Sequence, residues 1–337
     1  MQHIYYMYFL ILITIFLGLI FFLTWPNRLK SGVQSFYNKT FKIEPTNEIS
    51  VLSWNMAYLY GPGSEGINYA KKDQVFFKHK LSEAIDLLKR SNADIILLQE
   101  TDFKAKKTHY INQAKEIADA LGYNYAPAKS WHCRYVPYPM KDFKNHFGYV
   151  ESGGAVLSKF PIKDNYIHLH KKPKKNYFFN LFYIFRYSQI VSLEINNKVY
   201  QVVNNHLEAF SKENRSEQAE FLLKELRDKN ILLIGGDLNT LPSSAIKKSN
   251  FTPYDIEDFI DDKTYDLFAG VYKDVLDTSL YQADEKKYFT FSSAHEDRKL
   301  DHIFTPHNVE ALNFEVIKSK VSDHYPIKCT LKLSTHG

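Results

Sequence analysis

The sequence predicts one α/β domain, built on sheets covered by helices and preceded by a single membrane-spanning helix. Three observations carry that reading. Short β-rich apolar runs alternate with helical patterns from Glu48 onward; no repeat or low-complexity linker divides the following stretch; and Ile4 to Trp25 contains no charged side chain. A chain of 337 residues suits one large or two ordinary domains. With 45% hydrophobic and 15% aromatic residues, it is neither a disordered tail nor a bare membrane bundle. Two cysteines, Cys133 and Cys329, supply neither a disulfide framework nor a Cys-rich zinc site. The net charge of +5 is too small to imply a nucleic-acid partner.

The N-terminal element comes first. About 20 apolar residues in a helix cross a hydrocarbon core, and Ile4–Trp25 (IYYMYFLILITIFLGLIFFLTW) has that length. Tyr5, Tyr6 and Tyr8 at one end and Trp25 at the other fit interfacial aromatic belts, and Pro26 is expected to end the helix. A cleaved signal peptide and a buried core helix are the competing readings. No Lys or Arg precedes the apolar run, and Ile20–Trp25 offers no small-residue cleavage pattern. Arg28, Lys30, Lys39 and Lys42 follow the span, so the positive-inside rule places the body on the cytoplasmic side of a single-pass membrane protein. Residues 1–26 then form the anchor, 27–47 a polar tether and 48–335 the folded body.

Within the body, Ile49–Trp54, Ile95–Leu98, Ala155–Leu157, Ile190–Ile195, Val199–Val203 and Ile231–Ile234 read as strands. Phe76–Leu88, His109–Leu121 and Glu213–Leu226 carry apolar residues at helical spacing. Tyr288–Phe291, Leu300–Phe304 and Ile327–Leu333 read as late strands. Trp131–Pro139 (WHCRYVPYP) reads as an aromatic loop. In Lys171–Arg186 (KKPKKNYFFNLFYIFR), four lysines precede a Tyr- and Phe-rich run. That is either a solvated basic turn leading into a buried element or an insertion facing substrate or membrane.

Polar residues recur where these strands end, so their side chains can converge over one sheet edge. Asn55 follows ISVLSW, Gln99 and Glu100 follow ADIILL, and Asn204, Asn205 and His206 follow YQVV. Asp237 and Asn239 follow ILLIGG, two apart and on one side if the chain stays extended. Asp301 lies in KLDHIF, and Asp323 and His324 in VSDHYPI. Singly, Asn55 or Asn239 is as well explained as a helix cap, Glu100 as a solvated strand end and His206 as a satisfied core histidine. Together they fit hydrolysis of a phosphate ester, which requires a cation, donors for developing negative charge and a base for water. Glu100 and Asn55 offer hard oxygen ligands for Mg²⁺ or Mn²⁺, and a carboxylate-paired His324 can move a proton near neutral pH.

LSWNM, LLQE, SGGAVLSKFPI, NNHLEA, GGDLNT, LDHIF and SDHYPI, in that order, resemble the signature blocks of the endonuclease/exonuclease/phosphatase family, which includes deoxyribonuclease I and the neutral sphingomyelinases. The resemblance spans about residues 48–333. It implies a four-layer α/β/β/α sandwich and an Mg²⁺-dependent phosphoesterase (Mn²⁺ being an alternative) acting by in-line attack of water. It further implies metal ligation by Glu100 with Asn55 beside it and Asp323 nearby. Asp237 would orient or activate water, Asn239 hold a phosphoryl oxygen, His206 donate to the phosphate, and Asp301 orient His324. Glu151 stands where some relatives carry Tyr and could bond His206 or lie at the surface. Arg186 and Arg215 are candidate anion contacts; each also reads as a solvent-exposed charge. The expected substrate is a phospholipid head group or a nucleic acid, with the membrane contacted through the N-terminal helix and no obligate protein partner indicated. A catalytically silent, membrane-bound binding module of the same fold is the rival of a different class.

Overall fold

The computed structural model describes residues 2–23, 27–39, 44–62, 71–251 and 258–333. Trp25, Pro26, Lys42 and the body's expected end at 334–335 lie outside them. The first half of the chain contains α1 (Gln2–Leu23), β1 (Gly32–Val33), β2 (Glu48–Asn55), α2 (Gln74–Ser91), β3 (Ile95–Asp102), α3 (Gln113–Leu121), β4 (Asn124–Val136), β5 (Gly148–Ser158) and β6 (Ile162–Leu169). Next come α4 (Tyr177–Phe182), β7 (Tyr187–Ile195), β8 (Lys198–His206), α5 (Lys212–Glu225) and β9 (Ile231–Asp237). The chain closes with α6 (Thr264–Ala269), β10 (Lys273–Asp274), α7 (Thr278–Ala283), β11 (Asp301–Thr305), β12 (Glu310–Val316) and β13 (Ile327–Lys332).

One sheet has the order β12-β13-β2-β3-β5-β4, the other β1-β6-β7-β8-β9-β11-β10. Strand alternation explains why they stack. Ile49 and Val51 of β2, Ile95 and Leu97 of β3, Val191 and Leu193 of β7, Val202 of β8 and Ile303 of β11 share one core between the sheets. The opposite parity faces helices. Leu52, Trp54, Ile96 and Leu98 pack on Phe77, Leu81 and Ala84 of α2 and on Ala114 and Ile117 of α3. Val203, Ile234 and Phe304 pack on Ala219 and Leu222 of α5 and on Phe268 of α6. Each such aliphatic side chain withdrawn from water contributes about 1.5–3 kcal/mol before chain entropy is charged against it. The result is the expected α/β/β/α sandwich. Its polar departure is a buried inter-sheet chain near one edge: Gln99 Nε2 donates to Asn204 Oδ1 (2.7 Å), and Asn204 Nδ2 to Gln189 Oε1 (3.2 Å) and Leu98 O (3.0 Å).

Several expectations are corrected. The helix expected over His109–Leu121 begins only at Gln113, because His109 and Tyr110 adopt positive φ and Asn112 caps the helix by accepting from Lys115 N. Tyr288–Phe291 is a 3₁₀ turn over Glu285–Tyr288 followed by isolated bridges at Phe291, not a strand. The first part of WHCRYVPYP belongs to β4, paired with β5 through Cys133 and Val150. The segment expected as a tether is laid onto the body over residues 27–39. There β1 pairs with β6, Gln34 N donates to Asn165 O (2.8 Å) and Asn38 exchanges two hydrogen bonds with Ile162. The open backbone groups of β6 at the sheet edge supply the partners.

α1 is long and apolar enough to cross a membrane, with mean hydropathy 2.4 over Gln2–Phe21 and none of that window buried. A signal sequence meets the same test.

Candidate active site

Parity carries the site. The inter-sheet positions Val51 and Ser53 lead to Asn55, Val202 and Asn204 to His206, and Leu233 and Gly235 to Asp237. Each polar residue is the last inward-facing side chain of its strand, so the space between the sheets ends in a polar rim. β11 runs antiparallel to β9 and pairs Asp301 with Asp237, which brings the start of one strand to the end of the other. Glu100 has the wrong parity and reaches the rim by another route. The β3–β5 register shifts between Leu98 and Thr101, and Glu100 sits at φ 49°, so an irregularity re-aims its side chain. Gln99, of inward parity, stays in the buried polar chain instead.

Two glycines are required here. A Cβ on Gly154 would lie 1.8 Å from Tyr187 Oη, and one on Gly236 (φ 135°) 2.0 Å from Asn205 O. The first permits Tyr187 to pack edge-on beneath His206, ring centroids 6.3 Å apart.

Asp237 is the centre. Its Oδ2 accepts from Asn55 Nδ2 (2.8 Å) and lies 3.6 Å from His206 Nε2 and 3.8 Å from His324 Nε2. Asn55 Nδ2 also reaches Glu100 Oε1 (3.2 Å), which stands 3.5 Å from His206 Nε2. Asp301 Oδ2 bonds His324 Nδ1 at 2.8 Å, leaving Nε2 to face Asp237. The loop bearing His324 is pinned to β2, since Trp54 Nε1 donates to His324 O (3.0 Å) and Ser322 Oγ to Asn55 O (2.7 Å).

The two histidines differ in charge. Burial disfavours the His324 imidazolium, but the carboxylates of Asp301 and Asp237 outweigh it and raise its pKa to about 10. Burial, then the charge of Arg186, pushes His206 well below its ordinary value. Arg186 NH1 donates to His206 Nε2, so that nitrogen is an acceptor. Arg186 itself is held by Tyr183 and Glu208: its NH2 meets Tyr183 Oη (3.4 Å), which donates to Glu208 Oε1 (2.8 Å), and its Nε lies 3.9 Å from Glu208 Oε2. On this side of the site the available cationic donor is therefore Arg186, not His206 as the resemblance implied.

The other expected residues distribute as follows. Asn239 N donates to Asp237 Oδ1 (3.0 Å) and its Nδ2 to Leu207 O (3.0 Å) at φ 50°. The chain thus turns rather than staying extended, and Asn239 braces Asp237. Asp323 accepts from Ser322 Oγ (3.4 Å), and its charge adds to those that raise His324. Glu151 is corrected: its carboxylate is taken by Lys129 Nζ (2.5 Å) and Tyr149 Oη (3.1 Å), not by His206. Arg215 is corrected on both readings. It is buried, donates twice to Asp262 Oδ2 (3.1 and 2.8 Å) and once to Glu208 O (2.6 Å), and so closes a structural clamp.

Tyr183, Glu208 and Lys299 were missed as supporting residues. Lys299 Nζ, fully buried behind the rim, donates to Asp301 O (2.7 Å) and His302 Nδ1 (2.8 Å). Glu208 sits inside NNHLEA, where adjacency to His206 was the available signal; nothing local marks the other two.

A hard divalent cation fits this donor set. Burial raises the Glu100 carboxyl, and it raises Asp237 to about 6 against the pull of the His324 charge. Asp301 Oδ1 is buried without a hydrogen-bond partner. Asp237, Asp301 and His324 each bring a potential ligand atom within 4.8 Å of the others. Because His324 Nδ1 is committed to Asp301, oxygen ligation by the Glu100 and Asp237 carboxylates suits Mg²⁺ or Mn²⁺ better than a His-centred set. Asn55 is corrected as an oxygen ligand: its Oδ1 accepts from Ala57 N (3.0 Å), so the amide turns its Nδ2 donor to the two carboxylates and orients them.

The profile described as Endonuclease/Exonuclease/phosphatase family matches residues 52–324. None of the curated proteins compared matches. Among solved structures, an endonuclease/exonuclease/phosphatase from Beutenbergia cavernae is similar at TM-score 0.61 and 17% identity, covering 86% of this chain and 72% of its own. TDP2 from Caenorhabditis elegans is similar at TM-score 0.52 and 18% identity, covering 85% and 74%. A mannosyl-6-phosphatase from Bacteroides thetaiotaomicron is similar at 0.52 and 18%, covering 84% and 99%. At these identities the likeness is one of fold.

Proposed function

Because the chain belongs to the endonuclease/exonuclease/phosphatase family, we propose that it is a membrane-anchored, Mg²⁺-dependent phosphoesterase that hydrolyses a phosphate ester by in-line attack of water. The observation that carries this reading is Asp237 Oδ2, faced by a charged His324 on one side and by the Arg186–His206 pair on the other. Asp237, raised to about 6, suits a base that accepts a proton from water near neutral pH. His324, kept protonated by Asp301, donates from Nε2 to a phosphoryl or leaving oxygen. Arg186 supplies the second positive charge, and His206 and Glu208 fix its direction. Mg²⁺ held by Glu100, with Asn55 and Asp237 adjacent, would neutralise charge on the phosphoryl oxygens.

The completeness of this set supports turnover over a silent binding module. A phosphodiester is the primary substrate class; the neighbour described as a mannosyl-6-phosphatase supports a phosphomonoester as the second. The apolar α1 favours a phospholipid head group over nucleic acid. The test is turnover by the full chain in nanodiscs, with Mg²⁺ or a chelator, on bis(4-nitrophenyl) phosphate, phospholipids and oligonucleotides. Metal-dependent hydrolysis lost in Asp237→Ala supports the reading; full turnover in that variant, or in chelator, rejects it.

A further inference from the structure

Three features that the reaction does not use lie on the one edge of the sandwich that carries the site. The first is the end of α1. Its last residue, Leu23, is four residues from Asn27, whose Nδ2 donates to Ser130 O (2.9 Å) and whose N–H donates to Leu181 O (3.3 Å). Four residues reach at most about 14 Å, so α1 emerges beside α4 and the outer part of β4. The register places that part of β4 at the rim: Trp131 pairs with Ser152, and Ser152 with Asp102 at the end of β3.

The second feature is the basic-aromatic segment. Lys171, Lys174 and Lys175 are exposed, and α4 exposes Tyr177 (73%) and Phe179 (43%). The segment is seated on β4, since Trp131 Nε1 donates to Phe182 O (2.9 Å) and Phe185 N to Ser130 O (3.2 Å). It then runs into Arg186 and β7, whose first residue pairs with His206. The third feature is the β4–β5 turn. β5 continues four residues beyond Ser152 to Gly148, roughly 13 Å at strand rise. The connecting turn exposes Met140 (73%) and Phe143 (80%) beside exposed Lys141 and Lys144.

Two separate segments thus combine exposed apolar side chains with lysines, and both flank the exit of an apolar helix. Amphipathic surfaces of this composition suit an anionic bilayer: lysines meet head-group charge while apolar groups enter the acyl boundary. We propose that this edge is a membrane-docking face, with α4 and the 137–147 turn seated in the head-group layer of an anionic bilayer that α1 spans. The face deepens the proposed function and presupposes the spanning reading of α1, because it turns the site toward phosphate esters at the bilayer surface. Seating α4 also steadies Tyr183 and Arg186, four and nine residues after the exposed Phe179 and Tyr177.

Cys133 and Cys329 are buried, so a nitroxide attaches selectively to an introduced cysteine. The full chain is labelled at Tyr177→Cys, at Leu12→Cys within α1, and at Val199→Cys near the opposite end of β8. Each is placed in nanodiscs of phosphatidylcholine with or without phosphatidylserine, and collision with oxygen is compared with collision with a water-soluble nickel chelate. The expected result is oxygen-dominated collision at Leu12→Cys, intermediate values at Tyr177→Cys and nickel-dominated collision at Val199→Cys. The Tyr177→Cys value should fall to that of Val199→Cys when Lys171, Lys174 and Lys175 are all changed to Glu. A Tyr177→Cys label as aqueous as Val199→Cys, with Leu12→Cys immersed, overturns the docking face but leaves the anchor standing. An aqueous Leu12→Cys label overturns the anchor, and the docking face with it. A Tyr177→Cys label immobilised by an added oligonucleotide but not by the bilayer overturns the proposal in favour of a nucleic-acid surface.

Discussion

His324 and His206 face the same Asp237 oxygen from opposite sides, at 3.8 and 3.6 Å, yet the pKa of His324 is raised to about 10 and that of His206 is pushed well below its ordinary value. Both are buried, so burial alone would leave both neutral. The partner decides: Asp301 stands behind His324, whereas Arg186 stands in front of His206. The site therefore presents a positive group on each side of Asp237, but on one side it is an imidazolium and on the other a guanidinium. A histidine identified by motif has no fixed role until its neighbour is known.

Breaking the charged half should have the largest effect. His324→Ala removes both the imidazolium and its hydrogen bond, with an expected fall in kcat of about 10³-fold and an unchanged circular dichroism spectrum. Full turnover would mean that Asp237 works without it. Arg186→Ala comes next, at about 10²-fold in kcat/KM. In the same variant the His206 pKa should move up, because its second-largest depressing cause is gone. An unmoved His206 titration would show that burial alone sets its charge.

The contrast has a pH signature in the metal-free chain, read by NMR of nitrogen-labelled histidines. His324 is raised to about 10, so its stabilising contribution is fully present below about pH 6.5 and is lost as pH rises through about 10. His206 is lowered, so its contribution is present above about pH 6.5 and is lost as pH falls toward its folded value. His324 should keep imidazolium shifts at pH values where His206 is neutral; coincident titrations would erase the distinction. The smallest effect on turnover belongs to Arg215→Ala. It strands Asp262 in the interior, at an expected stability cost of about 3–5 kcal/mol, while kcat of the folded fraction stays near that of the parent. A large kcat loss without destabilisation would return Arg215 to the site.

These residues also mark what the sequence made legible. Asn55, His206 and Asp237 could be placed because each is a polar residue closing a short apolar run, in ISVLSWN, YQVVNNH and ILLIGGD. The face each takes was not legible, since a run such as ILLIGG is apolar at both parities. Glu100 reaches the rim through a register shift against β5, a property of pairing that its own segment does not encode. Arg186 and Arg215 looked alike as basic residues near strands and helices. One faces His206 and the other Asp262, because partners more than a dozen residues away decide the direction of a long side chain. The docked stretch at residues 27–39 was hidden for a related reason: its strand is two residues long and borrows the open edge of β6.

The central claim is metal-dependent attack of water at a phosphorus atom under the control of Asp237 and His324. Turnover of the full chain in heavy-oxygen water tests it directly by mass spectrometry of the phosphorylated product. The account predicts one heavy oxygen per product phosphate in Mg²⁺, no product with chelator, and product formed about 10³-fold more slowly in His324→Ala. Product that carries no heavy oxygen, or that forms equally well without the metal, would contradict it.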